Sequence, residues 1–319
     1  MRLIRLQGTS PMGLSPPLAR VDTVCEPPRG RKAFVERAAT TQVALPLTWR
    51  KVRWETVVPQ VVMYLGCFGA FFVPADTKIL TLFVVSYFFR AVGESVGFHR
   101  LFSHRTFKTS RPLQFILALL GSLNMQGGVL WWADTHRRHH RHADTEDDIH
   151  SPTFKGFLYA HYGWYMNRDN EVTDLERIKD FAKFPELVWL NTYHWLVFAV
   201  YTALVGWFFG AAGIVWSICI LTVFLWEITH AIQSLSHYAG GYRRWTDSAD
   251  QSRNHWLIGL LSFGEFHNNH HAFSSSAKQG HVWWEIDIGY YVLKALEAMG
   301  LVWEIHVPLQ VLRGPQRTE

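Results

Sequence analysis

The sequence predicts an all-α integral membrane protein: four transmembrane helices in two hairpins, with a cytosolic helical cap carrying a histidine-rich metal site. Three observations support this reading. Four apolar stretches each come close to the ~20 residues needed to cross ~30 Å of hydrocarbon. Their connectors, "PADTK" and "GAAG", are short enough for tight hairpins. With that topology, every dense histidine cluster falls beyond a span end on one side of the membrane.

Residues 1–45 mix Pro, Gly, Arg and Thr without periodicity ("GLSPPLAR", "EPPRGRK") and read as a disordered basic tail. They lack the apolar core of a secretory signal peptide. The membrane domain is expected over 46–310, followed by a tail at 311–319. Its spans are placed at about 57–73, 79–98, 187–209 and 214–232. Pro74 and Asp76 close the first. The second is broken only by Arg90 and Glu94, four apart and expected to pair. The third has no Asp, Glu, Lys or Arg, and the fourth only Glu227. Arg37, Arg50, Lys51 and Arg53 precede the first span, and Arg100, Arg105 and Lys108 follow the second. The positive-inside rule then puts both termini and the histidines in the cytosol, at a bacterial inner membrane or the endoplasmic reticulum. A fifth apolar segment, 113–132, must not cross, because a single crossing would separate the histidines flanking it. Its Gln114, Ser122, Asn124 and Gln126 suit a helix lying in the interface.

Composition narrows the function. The 319 residues are 49% hydrophobic, with mean hydropathy +0.00 and net charge +5. A basic chain with long apolar runs points to a membrane surface rather than nucleic acid. Cys25, Cys67 and Cys219 lie far apart, which excludes a cysteine-ligated iron–sulfur centre within the chain. There is no dinucleotide fingerprint and no P-loop.

Imidazole is the remaining signal. His99 and His104 form one box, His136, His139 and His140 a second, and His267, His270 and His271 a third, with His237 soon after the fourth span. In a helix, positions i, i+3 and i+4 share a face, so each His-x-x-His-His should present three imidazoles together. His99 and His104 diverge by ~140° on an ideal helix, which suits two ions better than one. Nine histidines are too many for one ion and reasonable for two, and imidazole suits Fe, Zn, Cu and Ni. His161, His194, His281 and His306 read as ordinary hydrogen-bonded histidines.

At these residues the sequence resembles the membrane-bound fatty acid desaturases, in particular the Δ9 acyl (stearoyl-CoA desaturase-like) group. The likeness is carried by "HRLFSHRTFK" (99–108), "HRRHH…D…DIHSP" (136–152), "QSLSH" (233–237), "DQSRNHWL" (250–257) and "GEFHNNHHAF" (264–273), and it extends over roughly 50–305. It implies that the nine histidines are catalytic ligands of two irons, and that Gln233 reaches one iron through water. Asp144, Asp148 and His150 match the family's Asp-x-x-x-Asp-Pro-His pattern, with Ile149 in place of Pro, and would orient the ligands. It further implies an O2-dependent oxidoreductase that places a cis double bond in an acyl group on lipid or CoA. Electrons would come from a ferredoxin-, rubredoxin- or cytochrome b5-type donor docked on Arg137, Arg138 and Arg141. Asp134 stands where vertebrate acyl-CoA members commonly have Arg, which disfavours a CoA phosphate. Tyr87, Ala91 and Ser95 share a row above His99, with Tyr87 ~18 Å along the axis, and are expected to line the acyl tunnel. Two other functions fit less well: a related diiron hydroxylase or oxygenase, and a metal transporter with histidines as transit ligands.

Overall fold

The computed structural model describes residues 49–248 and 250–313; the predicted basic tail at 1–45 and residues 314–319 lie outside them. The described chain is predominantly helical, and its strands Lys108–Thr109 and Val302–Trp303 form one short antiparallel pair.

Helix α1, Trp54–Cys67, runs on into a 3-10 turn, Phe68–Phe71. Asp76 then starts α2, Thr77–Val92, by accepting from the Ile79 N–H at 2.8 Å. Beyond Val92 the same helix continues to Ser103 with π-type pairing. Among the described residues, the continuous Thr77–Ser103 helix is one of two that are long and apolar enough to cross a membrane. The other, His194–His237, is 44 residues long, ~66 Å if straight and twice a bilayer core. It is not straight. Gly210 has φ 61° and ψ −155°, a conformation that only glycine adopts readily, and it breaks the helix there. Phe198 and Val205 before the break pack against Ile218 after it. The halves are α6, His194–Gly213, and α7, Leu221–Gln233, the latter preceded by a π-helical stretch, Ile214–Ile220. Val62, Leu65, Val84, Trp207 and Phe208 on these helices are each more than half exposed. Such an apolar surface suits lipid contact.

Three sequence expectations need correction. The span placed at 187–209 begins at His194, because a separate helix, α5 (Pro185–Thr192), precedes it and breaks at Tyr193. Leu187 and Leu190 of α5 are fully buried in the main core. The helix placed at 113–132 is two helices: α3, Arg111–Ser122, and α4, Val129–His142. Its polar residues face protein rather than an interface. Gln114, Ser122, Asn124 and Gln126 are all buried. Arg90 and Glu94 do not pair directly: Asn124 lies between them, accepting from Arg90 Nε at 3.1 Å and donating to Glu94 at 3.3 Å.

Glycines set the close crossings that position the site. A Cβ on Gly93 would lie 2.2 Å from the Gly121 nitrogen, so α2 and α3 approach backbone to backbone. Gly128 begins α4 where a Cβ would lie 2.3 Å from Asn191 Oδ1. That oxygen accepts from the N–H groups of Leu130 and Trp131, at 3.0 and 2.8 Å, and caps α4.

Candidate metal centre

Three helical segments and one turn bring the histidines together. The π-helical end of α2 supplies His99 and His104, α4 supplies His136, His139 and His140, the turn after α7 supplies His237, and α8 (His267–Ala272) supplies the rest. They sort into two groups. His99, His104, His136, His140 and His270 form one, and His139, His237, His267 and His271 the other, with ligand nitrogens within 4.8 Å inside each.

This sorting corrects two expectations. His99 and His104 join the same group rather than different ones. The His104 N–H bonds the His99 carbonyl at 3.1 Å, so the residues are one π turn apart and the ideal 140° divergence does not apply. The two His-x-x-His-His boxes do not each present three imidazoles to one point. In both, the i,i+4 pair enters one group and the i+3 histidine the other. Each box thus tethers both groups.

The Nε2 atoms face one another at short range. His104 to His136 is 2.8 Å, His270 to His140 is 2.8 Å, His99 to His270 is 3.0 Å and His237 to His267 is 2.7 Å. On the far side of the rings, Nδ1 meets carboxylates: His99 with Glu265 at 2.8 Å, His139 with Asp148 at 3.0 Å, His237 with Asp144 at 2.7 Å and His271 with Asp250 at 3.2 Å. A carboxylate acceptor holds the proton on Nδ1 and leaves a lone pair on Nε2. Converging lone pairs repel unless a cation sits among them. The donor set therefore fits metal ions, and its all-nitrogen character fits iron as one of the metals that imidazole suits, with Zn, Cu and Ni.

Electrostatics agree. Burial, followed by neighbouring imidazoles, holds His104, His136, His140, His267 and His270 well below their ordinary pKa, so the rings are neutral ligands. His271 falls to about 4, burial outweighing its bond to Asp250. Burial alone would raise Asp148, but the imidazoles of His139 and His150 beside it and the His139 hydrogen bond bring it below the usual carboxylate range.

Asp144, Asp148 and His150 are buried, while Thr145, Glu146 and Asp147 between them are exposed. Asp148 also accepts from the N–H groups of Asp144 and His150, at 2.9 and 3.2 Å. His150 stacks on His139 with centroids 4.1 Å apart. Ile149, in place of Pro, packs in the main core. Glu265, Asp250 and Gln279 were missed as ligand partners in the sequence, although Glu265 and Asp250 stand inside the quoted motifs. Gln279 Nε2 lies 3.3 Å from His99 Nδ1 and 3.2 Å from His270 Nδ1; nothing in its local sequence signals this. Gln233 Oε1 accepts from the Trp164 indole at 3.0 Å.

A cavity opens onto the histidines. His99, His136, His139 and His267 line one end, and Ala91, Leu225, Ile228 and Leu261 give it an apolar wall. Ser95, Glu94 and Gln233 also line it. Tyr87 does not; it stands behind the wall, donating to the Leu261 carbonyl at 2.5 Å and packed edge-on against Phe263.

Charges read from the sequence are placed differently. Arg100 is fully buried, paired with Asp287 at 2.8 Å, and is no topological signal. Arg137 is held by both oxygens of Asp180, at 2.9 and 2.8 Å, and by the Phe102 and Ser103 carbonyls, so it does not offer a docking charge. Asp134 is fully buried and neutralised by Arg177 at 2.5 Å. It therefore gives no ground for repelling a CoA phosphate.

Nine converging imidazoles, five buried and four partly buried, stand beside an apolar cavity, an arrangement compatible with metal binding next to a hydrocarbon chain. The family model described as fatty acid desaturase matches residues 78–303. The icosanoyl-CoA 5-desaturase of Limnanthes douglasii is 34% identical, covering 88% of this chain and 82% of its own. The sn-1 stearoyl-lipid 9-desaturase of Anabaena variabilis is 38% identical over 66% of this chain and 77% of its own. Delta-9 acyl-lipid desaturase 1 of Arabidopsis thaliana is 36% identical over 73% and 77%. The chain belongs to the fatty acid desaturase family and is an oxidoreductase.

Proposed function

We propose that this protein uses O2 and a diiron centre to introduce a cis Δ9 double bond into a saturated long-chain acyl group on a membrane lipid or CoA. The observation that carries this is the division of the nine Nε2 atoms into groups of five and four, both opening on one apolar cavity. When bound, iron supplies the O2 chemistry needed to oxidise an unactivated methylene, which no side chain provides. His99, His104, His136, His140 and His270 would hold one ion, and His139, His237, His267 and His271 the other. Gln233, fixed by Trp164, would complete the smaller set through water.

The remaining residues bind and exclude. Leu225, Ile228 and Leu261 hold the alkyl chain and keep water from the reacting carbons. Ala91 and Ser95 line the cavity beyond His99, with Tyr87 bracing the wall behind them. Electrons come from an external donor protein, for which Arg138 and exposed Arg141 remain as docking charges. The 46–310 domain crosses the membrane four times, as α1, α2, α6 and α7 in two hairpins, with the metal cap and both termini cytosolic. The 34–38% identity to enzymes named for Δ5 and Δ9 positions, on CoA and on lipid, supports the reaction class and leaves both carriers in play.

Gas chromatography of lipids from cells expressing the chain tests this directly. A cis Δ9 monoene that depends on expression is expected. Hydroxylated chains, or no change in a metal-loaded membrane fraction, would contradict it.

A further inference from the structure

A second group of ligating side chains lies outside the nine histidines. His161, Glu227 and His230 place one ligand atom each within 4.8 Å of the others. Glu227 and His230 are three apart on α7 and so share a face. His161 comes from a short π-helical turn, Tyr159–Gly163.

The hydrogen bonds settle where the protons are. The Ser234 hydroxyl donates to the His230 carbonyl at 2.8 Å. Its oxygen therefore accepts from His161 Nδ1, 2.7 Å away. A neutral His161 then points a lone pair from Nε2 at Glu227 Oε2, at 3.2 Å. That carboxylate already accepts from Tyr162 at 3.1 and 3.2 Å, and from Tyr64. A lone pair and a carboxylate oxygen in this position need a cation or a proton between them. His230 adds an independent observation: it is 5% exposed, and its Nδ1 has no hydrogen-bond partner among the described residues.

We propose that His161, Glu227 and His230 form a separate mononuclear site for a divalent cation of the zinc type. Two imidazoles and one carboxylate, with a further position left for water, are a zinc donor set. Ser234 behind His161 and the two tyrosines behind Glu227 are the outer partners that hold such ligands in place. The site stands one helical turn before Gln233, and His230 and Gln233 line the same small cavity. Its ion would be held beside the acyl cavity without sharing a ligand with the nine-histidine centre.

The test is metal analysis of the full chain purified in detergent, supplied with iron and then equilibrated with chelator-buffered Zn2+. The parent is expected to hold about one zinc in addition to its iron. Glu227→Gln and His230→Gln should each lose that zinc and keep the iron, with helical circular dichroism confirming the fold. His270→Ala should lose iron and keep the zinc. The proposal is overturned by a parent without additional zinc, which would make His161 and Glu227 a plain ion pair. It is equally overturned by zinc that survives both α7 substitutions or disappears with His270→Ala.

Discussion

Asp148 joins two functions in one carboxylate: it holds the His139 proton on Nδ1 and closes the loop that carries His150. Replacing it with Asn keeps the shape and removes the charge. Asp148→Asn should weaken iron retention by about 10- to 100-fold, as loss of a ligand's outer partner does elsewhere; iron per chain after dialysis against a chelator measures it. His140→Ala should abolish turnover. For Gln233→Leu, turnover should fall while the melting temperature holds, and unchanged turnover would return Gln233 to packing. The histidines that converge were legible in the sequence because their spacing is visible before any fold is known. Partners such as Gln279 and Arg177 were not, since tertiary contact alone brings them to His99 and Asp134.

The elements explain why the histidines divide as they do. Helical spacing led to the expectation of three ligands on one face, yet the i and i+3 positions diverge enough to serve different groups. The π-helical end of α2 was invisible, because no residue pattern in "GESVGFHRLFS" marks π against α pairing. Gly93 makes the close approach of α2 to α3 possible. Gly93→Ala would push a Cβ to 2.2 Å from the Gly121 backbone and should cost about 1–3 kcal/mol, read as a lower melting temperature together with lost iron. Ala91, on the same helix, lines the cavity. Ala91→Phe should shift the products toward shorter chains while the double bond keeps its distance from the carboxyl end; an unchanged chain-length profile would place the end of the tunnel elsewhere.

At the scale of the whole molecule, hydropathy showed where apolar segments lie but not which of them meet lipid. Residues 187–192 carry no charge and adjoin the apolar run of a span, yet α5 buries Leu187 and Leu190 in the core and lends Asn191 to cap the helix bearing the second box. Arg100 is basic at a span end, yet it is consumed by Asp287. The charge argument for topology therefore rests on Arg37, Arg50, Lys51, Arg53, Arg105 and Lys108, and a reporter fused after Glu319 should be active on the cytosolic side. The family was legible because five motifs stand in one order over most of the chain, a pattern that chance does not produce. The central claim is that nine imidazoles hold two irons in a five-and-four division. Elemental analysis of the purified, active protein tests it most directly: about two irons per chain are expected, and a single iron per chain at full activity would contradict it.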